Sequence, residues 1–224
     1  MDQGTKITLN EPWLEVQFPC PHSVLSWALL GGGWRTANKV LWHRATNDDL
    51  PMGVDPLALF LERLERDGMD KDAVGFLCAG PVSSFVEGAE FCDGQWARCL
   101  ATVGLSNGVR VGEPSFAATA KVGTINILLQ ISVPLTLAAS IEASSVVTQA
   151  RTLATLEAKV PNAGGSGFLT GTGTDCIAVA SPTAENPVAF SGTHTLIGYL
   201  IGQAVLKAMS TGIQNWKDWK AGNL

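Results

Sequence analysis

Apolar and polar positions alternate over residues 7–18, and a period of two predicts an early strand or strand pair. Residues 25–30 are apolar and run into Gly31, Gly32 and Gly33. Such a run makes a tight turn or a place where a ligand meets backbone. After Asp55 the period changes. Asp55 can cap a helix, Pro56 fits its first turn, and Leu57, Phe60, Leu61 and Leu64 form one stripe. Glu62 and Arg66 are spaced as an i,i+4 pair, and Gly68 closes the helix. Residues 73–79 and 100–105 read as buried strands, the second followed by a polar-edged turn over 104–108. The run TINILLQISV (124–133) is the strongest strand signal, with Asn126 and Gln130 on one face and Pro134 as its stop. Residues 137–157 predict a helix, 176–180 a short strand, 182–187 a loop, and 194–209 an amphipathic helix. In that last helix Gly198 and Gly202 share a ridge that lets another element approach closely. Residues 216–224 read as a short, frayed tail. Strands and helices alternate without a break, which predicts an α/β fold: a layered sandwich of mixed β-sheet with packed helices, in a single domain over 1–224.

Composition narrows the function classes. Of the 224 residues 46% are hydrophobic and only 16% charged, below the roughly 25% of an average soluble domain, so much of the chain is buried or lines an apolar pocket. The net charge is −5 and no basic run appears, which argues against a nucleic-acid partner. Residues 122–141 carry no charge, but Asn126, Gln130, Ser132, Pro134 and Thr136 interrupt them. A strand followed by a helix start is therefore expected rather than a membrane span. The first ten residues lack an apolar signal core. Five cysteines without a CxxC pair fit a reduced, cytoplasmic protein, with Cys176 a small buried filler.

The most informative stretch is 170–208, TGTGTDCIAV followed by SGTHTLIGYLIGQAVLKA. It sets Asp175 and His194 beside Gly- and Thr-rich turns at the ends of two elements, where backbone can come close to a ligand. His194 is one of three histidines and stands where a helix begins; His22 and His43 lie in plainer contexts. Thr124 follows Gly123 at the head of the strongest strand. Seven tryptophans stand against one tyrosine, and Trp27, Trp34 and Trp42 surround the glycine run, where their faces could cover a flat ligand.

LSWALLGGG (25–33), TVGLSNGVRVG (102–112), VGTINILL (122–129), VVTQARTLATLE (146–157), TGTGTDCIAVAS (170–181) and SGTHTLIGYLIGQAV (191–205), in that order, resemble the adenosylcobinamide amidohydrolases of corrinoid salvage. The resemblance implies hydrolysis of the amide joining an aminopropanol arm to the corrin ring, giving adenosylcobyric acid. The expected partner is a small-molecule corrinoid. The cobalt arrives inside the substrate, and no separate cofactor or metal ligand set is implied.

Amide hydrolysis needs an attacking oxygen, donors for the developing oxyanion and an acid for the departing amine. On this reading His194 is the base and then the acid, Asp175 orients its imidazole, and Thr124 is a donor or the nucleophile. Asn126, Gly173, Thr174, Thr195, Gly32 and Asn107 are the expected substrate-binding positions. Glu142, on the face of the long helix, reads as solvated. Neutral Gln149 stands where the family pattern carries a carboxylate, which favours, as a second reading, a non-catalytic corrinoid binder. A Gly-Thr junction at 123–124 is also the pattern of N-terminal-threonine hydrolases and acyltransferases, a third reading. Low charge and the glycine ridge fit a homo-oligomer.

Overall fold

The computed structural model describes residues 4–51, 53–114, 123–163 and 165–222. In chain order the elements are β1 (Lys6–Asn10), β2 (Trp13–Ser26), β3 (Gly33–Arg44), α1 (Pro56–Arg66), β4 (Val74–Cys78), a 3-10 turn (Val82–Ser84), β5 (Val86–Cys92), β6 (Gln95–Val103), β7 (Gly108–Val109), β8 (Ile125–Ile131), α2 (Leu137–Glu157), β9 (Gly171–Thr172), β10 (Cys176–Pro182) and α3 (Leu196–Lys220). The α/β class with a mixed sheet is as expected. The main sheet has eight strands in the order β4-β3-β2-β10-β8-β6-β5, with β1 added beside β2; β7 and β9 form a separate ribbon. β8 and β10 are parallel because α2 carries the chain back between them.

Within the uncharged run 122–141 lie β8, a turn at Pro134 and the start of α2. α2 and α3 cover one face of the sheet, over a core that includes Ile127, Leu129, Val179, Leu200, Val205 and Met209. They run parallel. Ser191, just ahead of α3, bonds Ala139 and Glu142 near the start of α2, and Lys217 near the end of α3 bonds the Ala158 carbonyl. α3 is long and apolar enough by composition to cross a bilayer, but its apolar stripe is spent on this core. It also runs well past the expected end at 209. Trp216 is buried and Lys220 is still helical, so the expected frayed tail is instead the last turns of α3.

The other face of the sheet curls around a second core that includes Leu14, Val40, Trp42, Phe76, Leu128 and Ala180. Two features make the curl. β2 holds β3 on one edge, and on the other edge β1 along its first half and β10 along its second. The β2–β3 register breaks between Gln17 and His22, where Pro19 and Pro21 have no N–H to offer the ladder. The curl brings β4 to β8 although three strands separate them along the sheet: Asn126 Nδ2 donates to the Leu77 carbonyl at 2.7 Å. α1 closes a third cluster through Phe60 and Leu64, capped by Asp55 as expected. Arg66 pairs with Asp67 rather than Glu62, because the adjacent carboxylate is reached without extending the side chain along the helix.

Candidate functional site

Three glycine-rich segments meet at the N-terminal ends of β8 and β10. Gly104 N–H donates to the Thr124 carbonyl, Gly173 N–H to the Asn107 carbonyl, and Thr124 Oγ1 to the Thr174 carbonyl at 2.7 Å. A Cβ on Gly123 would sit 2.9 Å from Ser106 N and 3.0 Å from Asn107 N, so only glycine lets these loops touch. Thr124, Asn107, Gly173 and Thr174 are therefore brought together.

Asp175 anchors this cluster. One carboxylate oxygen accepts the Thr172 hydroxyl and the amides of Thr172 and Ile125; the other accepts Arg151 Nη1 from α2. The Asp175 carbonyl takes Trp27 Nε1 at 2.8 Å, which fixes an indole that is 54% exposed. The expected pairing of Asp175 with His194 is not formed. Arg151 touches Asp175 near one end of α2, whereas Glu142 touches Ser191 and Gly192, beside His194, near the other. Nine residues of helix, about 14 Å, separate the two contacts. Arg151 was not singled out from the sequence, yet it is the only charge in α2 between Glu142 and Glu157, and a lone cation in so neutral a helix is a signal.

His194 lies just ahead of α3, exposed and without a hydrogen bond among the described residues. The cap of α3 is Thr195: its hydroxyl accepts Gly198 N–H and donates to the Gly192 carbonyl, so it is committed to the helix start rather than to a ligand. Glu142 is not simply solvated. Oε2 accepts Ser191 N–H at 2.6 Å and fixes the loop that carries His194. The other two imidazoles are in the core. His22 accepts from Gln130 at Nε2, with Nδ1 on the Cys20 carbonyl, and burial lowers its pKa. His43 sits against Trp13 and Phe60, its pKa lowered to about 4 by burial and then by Arg63.

Two further expected contacts are corrected. Asn126 is 2% exposed and its amide is spent on Leu77, inside the curl of the sheet. Trp42 is fully buried against Phe76 and cannot meet a ligand, while Trp27 and Trp34 remain exposed. Gly32 belongs to the β2–β3 turn, where a Cβ would press on the Ala28 carbonyl at 2.7 Å. Burial pushes the Cys176 thiol up to about 12, which removes it as a nucleophile at neutral pH.

Next to Trp27 a groove of about 550 Å³ runs along the outer flank of α2. Ser144, Ser145, Thr148, Gln149 and Thr152 supply its polar wall, and Leu153 and Leu156 its apolar end. Ser145 and Gln149 continue the helical stripe of Glu142 at i+3 and i+7, so the groove leads from the Trp27–Asp175 anchor towards the loop of His194.

The family model described as adenosylcobinamide amidohydrolase matches residues 1–221. The adenosylcobinamide amidohydrolase of Methanosarcina mazei is 28% identical over 168 residues, which cover 71% of this chain and 75% of that protein.

Proposed function

The chain belongs to the adenosylcobinamide amidohydrolase family, and from that premise we propose that it hydrolyses the linear amide between the corrin side arm and aminopropanol. Water oxygen adds to the amide carbonyl carbon and the C–N bond breaks. The amine leaves with a proton, and the corrinoid leaves as a carboxylate. Such a product would feed the recovery of corrinoids for cobalamin synthesis in the cytoplasm.

The observation that carries the reading is an uncharged groove that starts at an anchored, exposed indole and runs along α2 towards the end that holds the loop of His194, the one histidine outside the core. The macrocycle lies against Trp27 and the α2 flank, where an aromatic face and a hydroxyl wall suit a broad, polar-edged ring. The side arm spans the roughly 10 Å of helix between Gln149 and Glu142 and reaches His194. His194 takes a proton from water and returns one to the amine. Glu142 is a positioning residue through its bond to Ser191. Asp175 is another: it holds Trp27 through its carbonyl and Arg151 through its carboxylate. Thr124, Asn107, Gly173 and Thr174 tie together the loops next to Asp175.

Incubation of the purified chain with adenosylcobinamide, followed by mass spectrometry of the corrinoid, tests the reaction. Loss of the aminopropanol arm with gain of a carboxylate is expected. His194→Ala should lower kcat at least a hundredfold without moving the melting temperature, since the imidazole makes no hydrogen bond among the described residues. Turnover of that variant within twofold of the parent would remove His194 from the mechanism, and binding without any product from the parent would favour a non-catalytic corrinoid carrier.

A further inference from the structure

The groove on α2 is lined mainly by apolar surface, with a few hydroxyls and one carboxamide, and none of its lining residues is charged. On the same helix Arg151 is paired with Asp175 and Glu142 is engaged by the Ser191 amide, while Glu157 follows Leu156 at the apolar end. In the middle of the wall Gln149 is exposed, and one of its two Nε2 protons is directed at Ser145 Oγ, 3.3 Å away. The second Nε2 proton and the Oε1 lone pairs have no partner among the described residues. A primary carboxamide thus presents one donor and one acceptor, side by side, to whatever fills the groove. The group that matches both at once is another primary carboxamide, which returns an acceptor and a donor in the same spacing. A carboxylate can satisfy only the donor and would set its negative oxygen against Gln149 Oε1.

We infer that this groove is a carboxamide-reading subsite, and that Gln149 is the residue by which the protein distinguishes a fully amidated corrin from one bearing a ring carboxylate. The inference rests on the corrinoid reading given above. It goes further by naming which chemical feature of the ring is read and by which atoms. Thr148 and Ser145 assist. Each hydroxyl has an intrahelical contact, Thr148 donating to the Ser144 carbonyl at 2.9 Å and Ser145 accepting from Gln149, and each keeps a lone pair for the ligand. With no cation in the wall, nothing offsets the desolvation of a carboxylate brought against it.

The test uses the full chain, adenosylcobinamide, and the chromatographically separated derivatives in which a single ring carboxamide has been hydrolysed and the aminopropanol arm left intact. Binding is read by ultrafiltration and corrinoid absorbance. At least one monocarboxylate should bind tenfold or more weakly than the parent corrinoid. In Gln149→Lys that deficit should vanish or reverse for the same isomer. Gln149→Leu should raise KM for adenosylcobinamide at least fivefold while kcat changes less than twofold. Equal binding of every isomer, or an isomer pattern unchanged in Gln149→Lys, would overturn the inference while leaving the hydrolase reading intact. No binding of adenosylcobinamide by the parent chain would overturn both. Gln149 is exposed, so neither variant threatens folding.

Discussion

Asp175 and Arg151 hold their charges largely out of water, with side chains 9% and 13% exposed. A pair so placed contributes little net stability, because desolvation offsets most of the attraction, but removing one partner leaves the other stranded. Arg151→Ala should therefore cost about 3 kcal/mol in urea unfolding. Arg151→Lys should recover only part, since the lysine chain is shorter and its ammonium must come to the place where Nη1 meets both Asp175 and the Thr170 carbonyl. In the same variant KM for adenosylcobinamide should rise, because the turn that fixes Trp27 loosens. The acid was legible in the sequence and its partner was not. A Gly/Thr-rich turn marks an acid at a strand start, but which of several bases meets it depends on where α2 ends. Asn126 carries the complementary lesson. An amide at the second position of a strand cannot be assigned to ligand or core until the curl of the sheet is known. Asn126→Leu should destabilise the fold by about 2 kcal/mol by leaving the Leu77 carbonyl unpaired, with kcat/KM unchanged per folded molecule.

Among the elements, α2 was readable to the residue because Thr136 caps it and Pro134 stops the strand before it. The β5–β6 hairpin was missed, although Asp93-Gly94 is the strongest short hairpin signal there is. Both residues have positive φ, 47° and 77°, and join Cys92 to Gln95 as a two-residue turn. The strand read at 100–105 is only the second half of β6. Close approach of another element to α3 is expected at Gly198 and Gly202, and at Gly198 it occurs: a Cβ there would press on the backbone of Ser191 and Gly192. Between α3 and the sheet, the glycine that permits close approach lies across the interface, in β5. A Cβ on Gly88 would meet Ala208 N at 2.6 Å and press harder on the Ala204 carbonyl, whereas one on Gly202 would meet nothing. Both obstacles are helix backbone and cannot rotate away. Gly88→Ala should accordingly lower stability by about 3 kcal/mol as α3 is pushed from β5. Gly202→Ala should be neutral or slightly stabilising, as expected where a helix loses a glycine into open space. Denaturant midpoints of the two variants, with unchanged m-values, check the pair.

For the molecule as a whole, periodicity gave the strands and helices, but the curled sheet depends on pairing between distant strands that no local pattern encodes. The packing of α1 against β3 is of the same kind, and it is why a histidine in a plain sequence context ends up buried. His43 is 4% exposed, neither ring nitrogen has a partner among the described residues, and its neighbours are Trp13 and Phe60. Around it stand Arg63, Arg66, Asp67 and Asp49, the two acids already held low by hydrogen bonds from Arg66, Trp13 and Thr46. Its pKa is about 4 in the fold and about 6.5 when unfolded. Between those values the unfolded chain holds a proton on this residue that the native protein does not, so stability falls as pH falls across that window. The full loss, reached below pH 4, amounts to about 3 kcal/mol. His22, also lowered by burial, adds a loss of the same sign. His43→Leu keeps an apolar group between Trp13 and Phe60 and removes the titration. Its stability measured against pH should therefore be flatter than the parent's between pH 6.5 and 4, with the remaining slope due to His22 and the carboxylates. Parallel curves for the two proteins would mean that His43 reaches water and that the packing of α1 over β3 is looser than described.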